Sequence, residues 1–281
     1  MIRVGTPTLA TALLLCATQA LAQLPPRKDN YLRSIDQCNR ADLTTLDARI
    51  NGCTLLIESR YATTTALAIA YNNRGNAYLA KGDFDHAIHD YDQSARLDRT
   101  YAKPLNNRGV AHLKKGELDL AIEAFDEAIR LDPDYGNAYV NRGGVYLRKG
   151  NHARAAQDYE NAIRRNPGLH SAWHGRCWAQ AILGELPAAL EACNAALRSG
   201  FNKAAAHDSL GLIHLKMDQP GAAIDAYSEA LQFNPKLASA LYGRGLARLK
   251  TGDQAGSDAD ISAAKALAAD IGDEFARHGV R

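Results

Sequence analysis

A glycine returns at one fixed interval, at Gly75, Gly109, Gly143, Gly211 and Gly245, and Cys177 holds the one slot that breaks the series. At a constant offset after each slot stands a small side chain: Ala87, Ala121, Ala155, Ala189, Ala223 and Ser257. Two helical turns further on stands another: Ser94, Ala128, Ala162, Ala196, Ala230 and Ala264. Just beyond that, Pro133, Pro167 and Pro235 close three of the copies. A fixed period with small residues at fixed offsets specifies stacked supersecondary units rather than one globular core. Arrays of this kind present surfaces, so the first question is what they bind.

Each period holds two apolar-periodic segments separated by a break: Lys81-Gly82, Lys115-Gly116, Lys149-Gly150 and Thr251-Gly252. Glycine after a basic last turn stops a helix, and Asp83, Asn151 and Asp253 stand where the next N-cap belongs. Proline cannot continue a helix, so the second segment ends near Pro133, Pro167 and Pro235. The small slots mark where the two helices cross at close range. One such pair cannot bury its apolar face alone, so neighbouring pairs stack.

On these residues the unit resembles the tetratricopeptide repeat, whose pattern runs aromatic, leucine–glycine, tyrosine, small–x3–aromatic, proline. Repeat one matches with Tyr71, Gly75, Tyr78, Ala87 and Tyr91; repeat three with Tyr139, Gly143, Tyr146, Ala155, Tyr159 and Pro167. One departure is systematic: Arg74, Arg108, Arg142, Arg176 and Arg244 replace the leucine. The resemblance implies an all-α, right-handed α-solenoid of six helix-turn-helix repeats, at 68–101, 102–135, 136–169, 170–203, 204–237 and 238–271. A tether and degenerate capping half-repeat (23–67) would precede them, and a polar C-terminal cap and tail (272–281) would follow.

The segment 1–22 reads as a secretory leader. Arg3 starts it, an apolar stretch runs from Leu9 to Ala17, and Ala20-Leu21-Ala22 offers a cleavage site before Gln23. The apolar run is too short for a membrane span. An uncleaved anchor is the alternative. Without the leader, whose one charged residue is Arg3, the chain carries a net charge of +1 and four cysteines. That balance gives neither a nucleic-acid footprint nor an anionic-membrane footprint. An even cysteine count in an exported chain points to disulfides. Cys177 and Cys193 fall opposite each other in the helix pair of repeat four. Cys38 and Cys53 have nearly the same spacing, and Cys53 is in phase with Ala87. The expected bridges are Cys38–Cys53 and Cys177–Cys193, each closing a loop of about 15 residues and contributing ~3 kcal/mol by chain entropy. Four reduced, buried thiols are the alternative.

In the repeat family the first helix of each pair lines a concave groove, through the positions two and three before the glycine and one after it. Carried onto this chain, those positions hold Asn72, Asn73, Asn76, Asn106, Asn107 and Asn141 early in the array, with Lys103 nearby. Later they hold His174, Trp178, Leu212 and Leu246. A side-chain amide offers both donors and an acceptor, so a row of them suits a peptide backbone, and Trp178 suits an apolar anchor. The competing reading has the amides capping neighbouring groups and Trp178 covered by the next repeat. Arg74, Arg108, Arg142 and Arg244 each have acids downstream, in the second segment of the same repeat, among them Asp90, Asp126, Asp158 and Asp260. Arg176 faces only Ala192 and Asn194. Salt bridges fixing helix register account for this series better than an anion site.

His86 with His89, and His170 with His174, share helix faces but lack a third ligand, so no metal is expected. No nucleophile turn or phosphate-cradling loop stands outside the repeats. No cofactor and no enzymatic activity are therefore expected. The sequence points to a non-enzymatic module of exported bacterial type, binding a protein or extended peptide in the envelope, most simply the periplasm. Its alternative is an envelope scaffold or assembly factor that works through end faces or self-association.

Overall fold

The computed structural model describes residues 28–40, 45–200 and 202–280, and the expected leader and its cleavage site lie outside them. Fifteen helices and no strand make up the described residues. They are α1 (Lys28–Asn39), α2 (Leu46–Ile57), α3 (Thr64–Lys81), α4 (Phe84–Leu97), α5 (Ala102–Lys115), α6 (Leu118–Leu131), α7 (Gly136–Arg148) and α8 (His152–Arg165). There follow α9 (His170–Leu183), α10 (Leu186–Arg198), α11 (Lys203–Lys216), α12 (Pro220–Phe233), α13 (Ala238–Lys250), α14 (Gln254–Leu267) and α15 (Ile271–Arg277). The described residues divide into two compact units, with the boundary between Ala111 and His112.

The breaks work as the residue types require. Gly82, Gly116, Gly150, Gly184 and Gly252 adopt φ between 73° and 85°, the left-handed region open to glycine. In repeat five that slot holds Asp218 at φ 54°, which a short polar side chain tolerates. Asp83, Asn151 and Asp253 cap the following helices by accepting the N–H of the third residue on.

The periodic glycines sit where helices meet. A Cβ on Gly75 would lie 2.7 Å from the Tyr91 ring, and one on Gly211 would lie 2.6 Å from Tyr227. Repeat four replaces this glycine–tyrosine contact with the disulfide Cys177–Cys193, across a Cα–Cα distance of 5.1 Å. Cys38–Cys53 joins α1 to α2 across 4.6 Å. Because α1 begins at Lys28, the N-terminal cap is a helix pair with its own bridge, where the phase of Cys53 alone suggests a half-repeat. The C-terminal helix also differs from expectation. It buries Ile271, Phe275 and, just beyond it, Val280, so its face is not merely polar.

Candidate functional site

The arginine that replaces leucine reaches in two directions. Arg74 grips Asp90 with two bonds of 2.8 Å, and Arg244 grips Asp260 in the same way. Asp90 and Asp260 are buried, so the paired fork satisfies a carboxylate that water cannot reach. Hydrogen bonds to Asp90 raise the pKa of Arg74 against the opposing effect of burial. Arg108 meets Asp92 at 2.8 Å, and Arg142 holds Asp158 of its own repeat together with Asp126 of the repeat before. Arg176 pairs with Glu160 at 2.6 Å, again from the preceding repeat. The sequence allows bridges to a neighbouring repeat but does not single out the upstream acids Asp92, Asp126 and Glu160, which recur there at the repeat spacing. These side chains tie second helices to the first helices around them and are thereby committed to the framework.

In the first unit the early asparagines bond to one another. Asn107 Nδ2 donates to Asn72 Oδ1 and to Asn76 Oδ1, both at 3.0 Å. The Tyr91 hydroxyl donates to the same Asn76 oxygen at 2.8 Å. Asn73 donates to Asn39 Oδ1 at 3.0 Å, and Asn106 to Asn107 Oδ1 at 3.3 Å. Asn72 and Asn106 are buried, while Lys103 is exposed.

The second unit carries different residues in these slots. Val140, Gly144 and Gly175 stand where Asn72, Asn76 and Asn107 stand two repeats earlier. Around them lies a cleft of about 640 Å³, lined by Asn141, His174 and Trp178 of the expected set and by Val140, Tyr159, Asp208 and Leu237. Gly175 also makes room for Tyr159: a Cβ there would lie 2.3 Å from its ring. Burial pushes the Tyr159 hydroxyl up to about 12, so it enters the site as a neutral donor. His174 Nε2 lies 3.1 Å from Ser209 Oγ, and that hydroxyl donates to Ala205 O at 3.0 Å. Burial lowers the His174 pKa, against a backbone hydrogen bond with Ala205, and so favours the neutral imidazole. Trp178 is half-buried, its ring edge-on to His278 at 5.1 Å.

Asp208, three before Gly211, also falls in a groove slot of the repeat. Its Oδ2 accepts from Ser239 Oγ at 2.8 Å, but its buried Oδ1 has no partner. The neighbouring Tyr227 hydroxyl is likewise buried without one. Burial, partly offset by the Ser239 bond and reinforced by Glu274, pushes Asp208 up to about 7. The repeat register explains why these groups go unpaired. Asn72, the counterpart of Asp208, is satisfied by Asn107, whose counterpart is Gly243; Asn76, which satisfies Tyr91, corresponds to Leu212.

Among the described residues, no group of three or more His, Cys, Asp and Glu side chains is placed to hold a metal ion. No helix there is long and apolar enough to cross a membrane.

A family model described as Tetratricopeptide repeat matches residues 72–136 and 140–205, and one described as TPR repeat matches 221–252. No curated protein sequence matches the chain. Solved structures share the fold. YrrB, described as a TPR protein with an unusual peptide-binding site, is 21% identical, with a TM-score of 0.57 over 68% of this chain and 97% of its own. A tetratricopeptide repeat protein from Parabacteroides merdae is 15% identical, with a TM-score of 0.63 over 89% and 99%. PilW, described as a type IV pilus biogenesis factor, is 16% identical, with a TM-score of 0.63 over 71% and 93%.

Proposed function

This chain belongs to the tetratricopeptide repeat family, and from that premise we propose that it is a non-enzymatic module that seats a protein or peptide segment in the second unit. The observation that carries this reading is the cleft itself. At about 640 Å³ it takes a few residues of peptide. Its walls combine apolar surface with fixed polar groups: an Asn141 amide, a neutral His174 and the neutral Tyr159 hydroxyl. The asparagines of the first unit bond largely within the framework, and we read them as structural. The peptide-binding description of YrrB supports a peptide as the ligand class, and the family's use in protein contacts agrees with it.

The place of action we propose is the cell envelope, the periplasm in particular. The leader pattern before Gln23 and the two disulfides support it, since such bridges persist in oxidising compartments.

A crosslinking pulldown from an envelope fraction tests both parts. Wild type is compared with Asn141→Ala/His174→Ala and with Asn73→Ala/Asn107→Ala, all checked for folding. Partners lost only from the first pair support the cleft. Partners lost only from the second, or retained by both, refute it.

A further inference from the structure

The apolar half of the inner surface is already covered by the chain's own end. Phe275 lies 5.0 Å from the Tyr242 ring of repeat six, and three residues later His278 meets Trp178 of repeat four. A regular seventh repeat would advance along the stack, whereas this segment turns back across two repeats. Ile271, Phe275 and Val280 join the core cluster that contains Leu212, Leu215 and Leu241. Trp178 and Leu246, read from the sequence as groove positions, pack on the same cluster.

The fit is good in shape and poor in charge. Ile271 and Phe275 are one helical turn apart and present one apolar face. Between them, half-buried Glu274 comes close enough to Asp208 to disfavour its ionised form. The Glu274 charge thus bears on a buried carboxylate that has one oxygen without a donor. A cation in Glu274's place would supply the opposite charge and favour the ionised carboxylate.

We propose that residues 271–280 are a displaceable occupant of the groove, standing in for a partner helix that has two apolar side chains one turn apart and a lysine or arginine where Glu274 lies. The proposal rests on the second unit's inner surface being the binding surface. It adds that the partner competes with the chain's own tail, and it names the partner's chemistry. Removing the tail uncovers Trp178 and the apolar extension of the cleft, so partner and tail exclude each other.

Two measurements on the full chain test this. The first uses fluorescein-labelled peptides of residues 270–280, native and with Glu274→Lys, titrated against wild type and Phe275→Ala. Phe275→Ala weakens the tail, so it binds the native peptide at least tenfold more tightly than wild type does. The Glu274→Lys peptide binds Phe275→Ala about tenfold more tightly than the native peptide, and adding Asp208→Asn removes that gain. Equal binding of both peptides, or no gain from Phe275→Ala, overturns the proposal. The second measurement guards against a misfolded variant: hydrogen exchange on wild type. Amides of 271–280 exchange at least a hundredfold faster than those of α13 if the tail opens alone. Equal protection makes it a fixed part of the last repeat and overturns the proposal. If the peptides fail to exchange while partners are still captured through Asn141 and His174, the tail proposal falls and the cleft stands. If capture fails while the peptides still exchange, the cleft falls and the tail proposal stands.

Discussion

Repeat one and repeat five use the same slots to opposite ends. In repeat one, Asn76 accepts the Tyr91 hydroxyl, and Asn107 closes onto Asn72 and Asn76. In repeat five, Leu212 and Gly243 hold the corresponding positions, and both the Tyr227 hydroxyl and Asp208 Oδ1 are buried without partners. A buried polar group costs about 1–3 kcal/mol when unpaired. The first arrangement therefore stabilises the framework, and the second leaves unsatisfied polarity on an apolar inner surface. A repeat array need not be uniform to stack, and its departures from uniformity show where a partner gains most.

The largest test of this contrast is Gly243→Ala. The new Cβ would lie 2.2 Å from the Tyr227 ring, where repeat one tolerates a full Asn107. Overpacking should cost about 3 kcal/mol in denaturant unfolding. A cost near zero would mean that Tyr227 sits elsewhere. Asn107→Ala comes next. It strands the buried Asn72 acceptor and should cost about 2 kcal/mol.

Asp208→Asn should act in the other direction. Burial raises Asp208 from 3.8 to about 7, against the hydrogen bond from Ser239 of α13 and with the charge of Glu274 of α15, while Tyr227 of α12 feels the Asp208 charge. Between about pH 4 and 7 the folded chain therefore keeps a proton that the unfolded chain has released, and stability falls as pH rises through that window. Asp208→Asn should remove that slope and raise stability at pH 8 by about 1–2 kcal/mol. Unfolding curves of wild type and variant that stay parallel from pH 5 to pH 8 would refute the shift. The smallest effect is the sharpest contrast. Tyr91→Phe should cost about 1 kcal/mol because it breaks the bond to Asn76, while Tyr227→Phe should be neutral or slightly stabilising.

The repeat scaffold was legible because its signals are local and repeated six times. Glycine slots, alanine crossings and caps each appear at a fixed offset, and Arg74, Arg142 and Arg244 found their downstream acids as read. Upstream pairing was harder to see. Asp92 lies almost midway in sequence between Arg74 and Arg108, and only the stacking distance decides between them. Asp218 escaped notice because it does glycine's work without being glycine. The site was half legible. Asn141, His174 and Trp178 follow from their slots, but the cleft is also lined by Val140, Gly144 and Gly175, where earlier repeats carry asparagine. The course of the tail was not legible at all. Asp273, Glu274 and Arg277 make it read as a polar cap, and nothing local says that His278 returns to Trp178.

The most direct measurement places a photo-crosslinking amino acid in the full chain, at position 141 in one variant and position 73 in another, in the cells that make it. If the second unit seats the partner, position 141 gives discrete adducts and position 73 gives none. Adducts from position 73 alone, or from neither position, would contradict the division of labour between the two units.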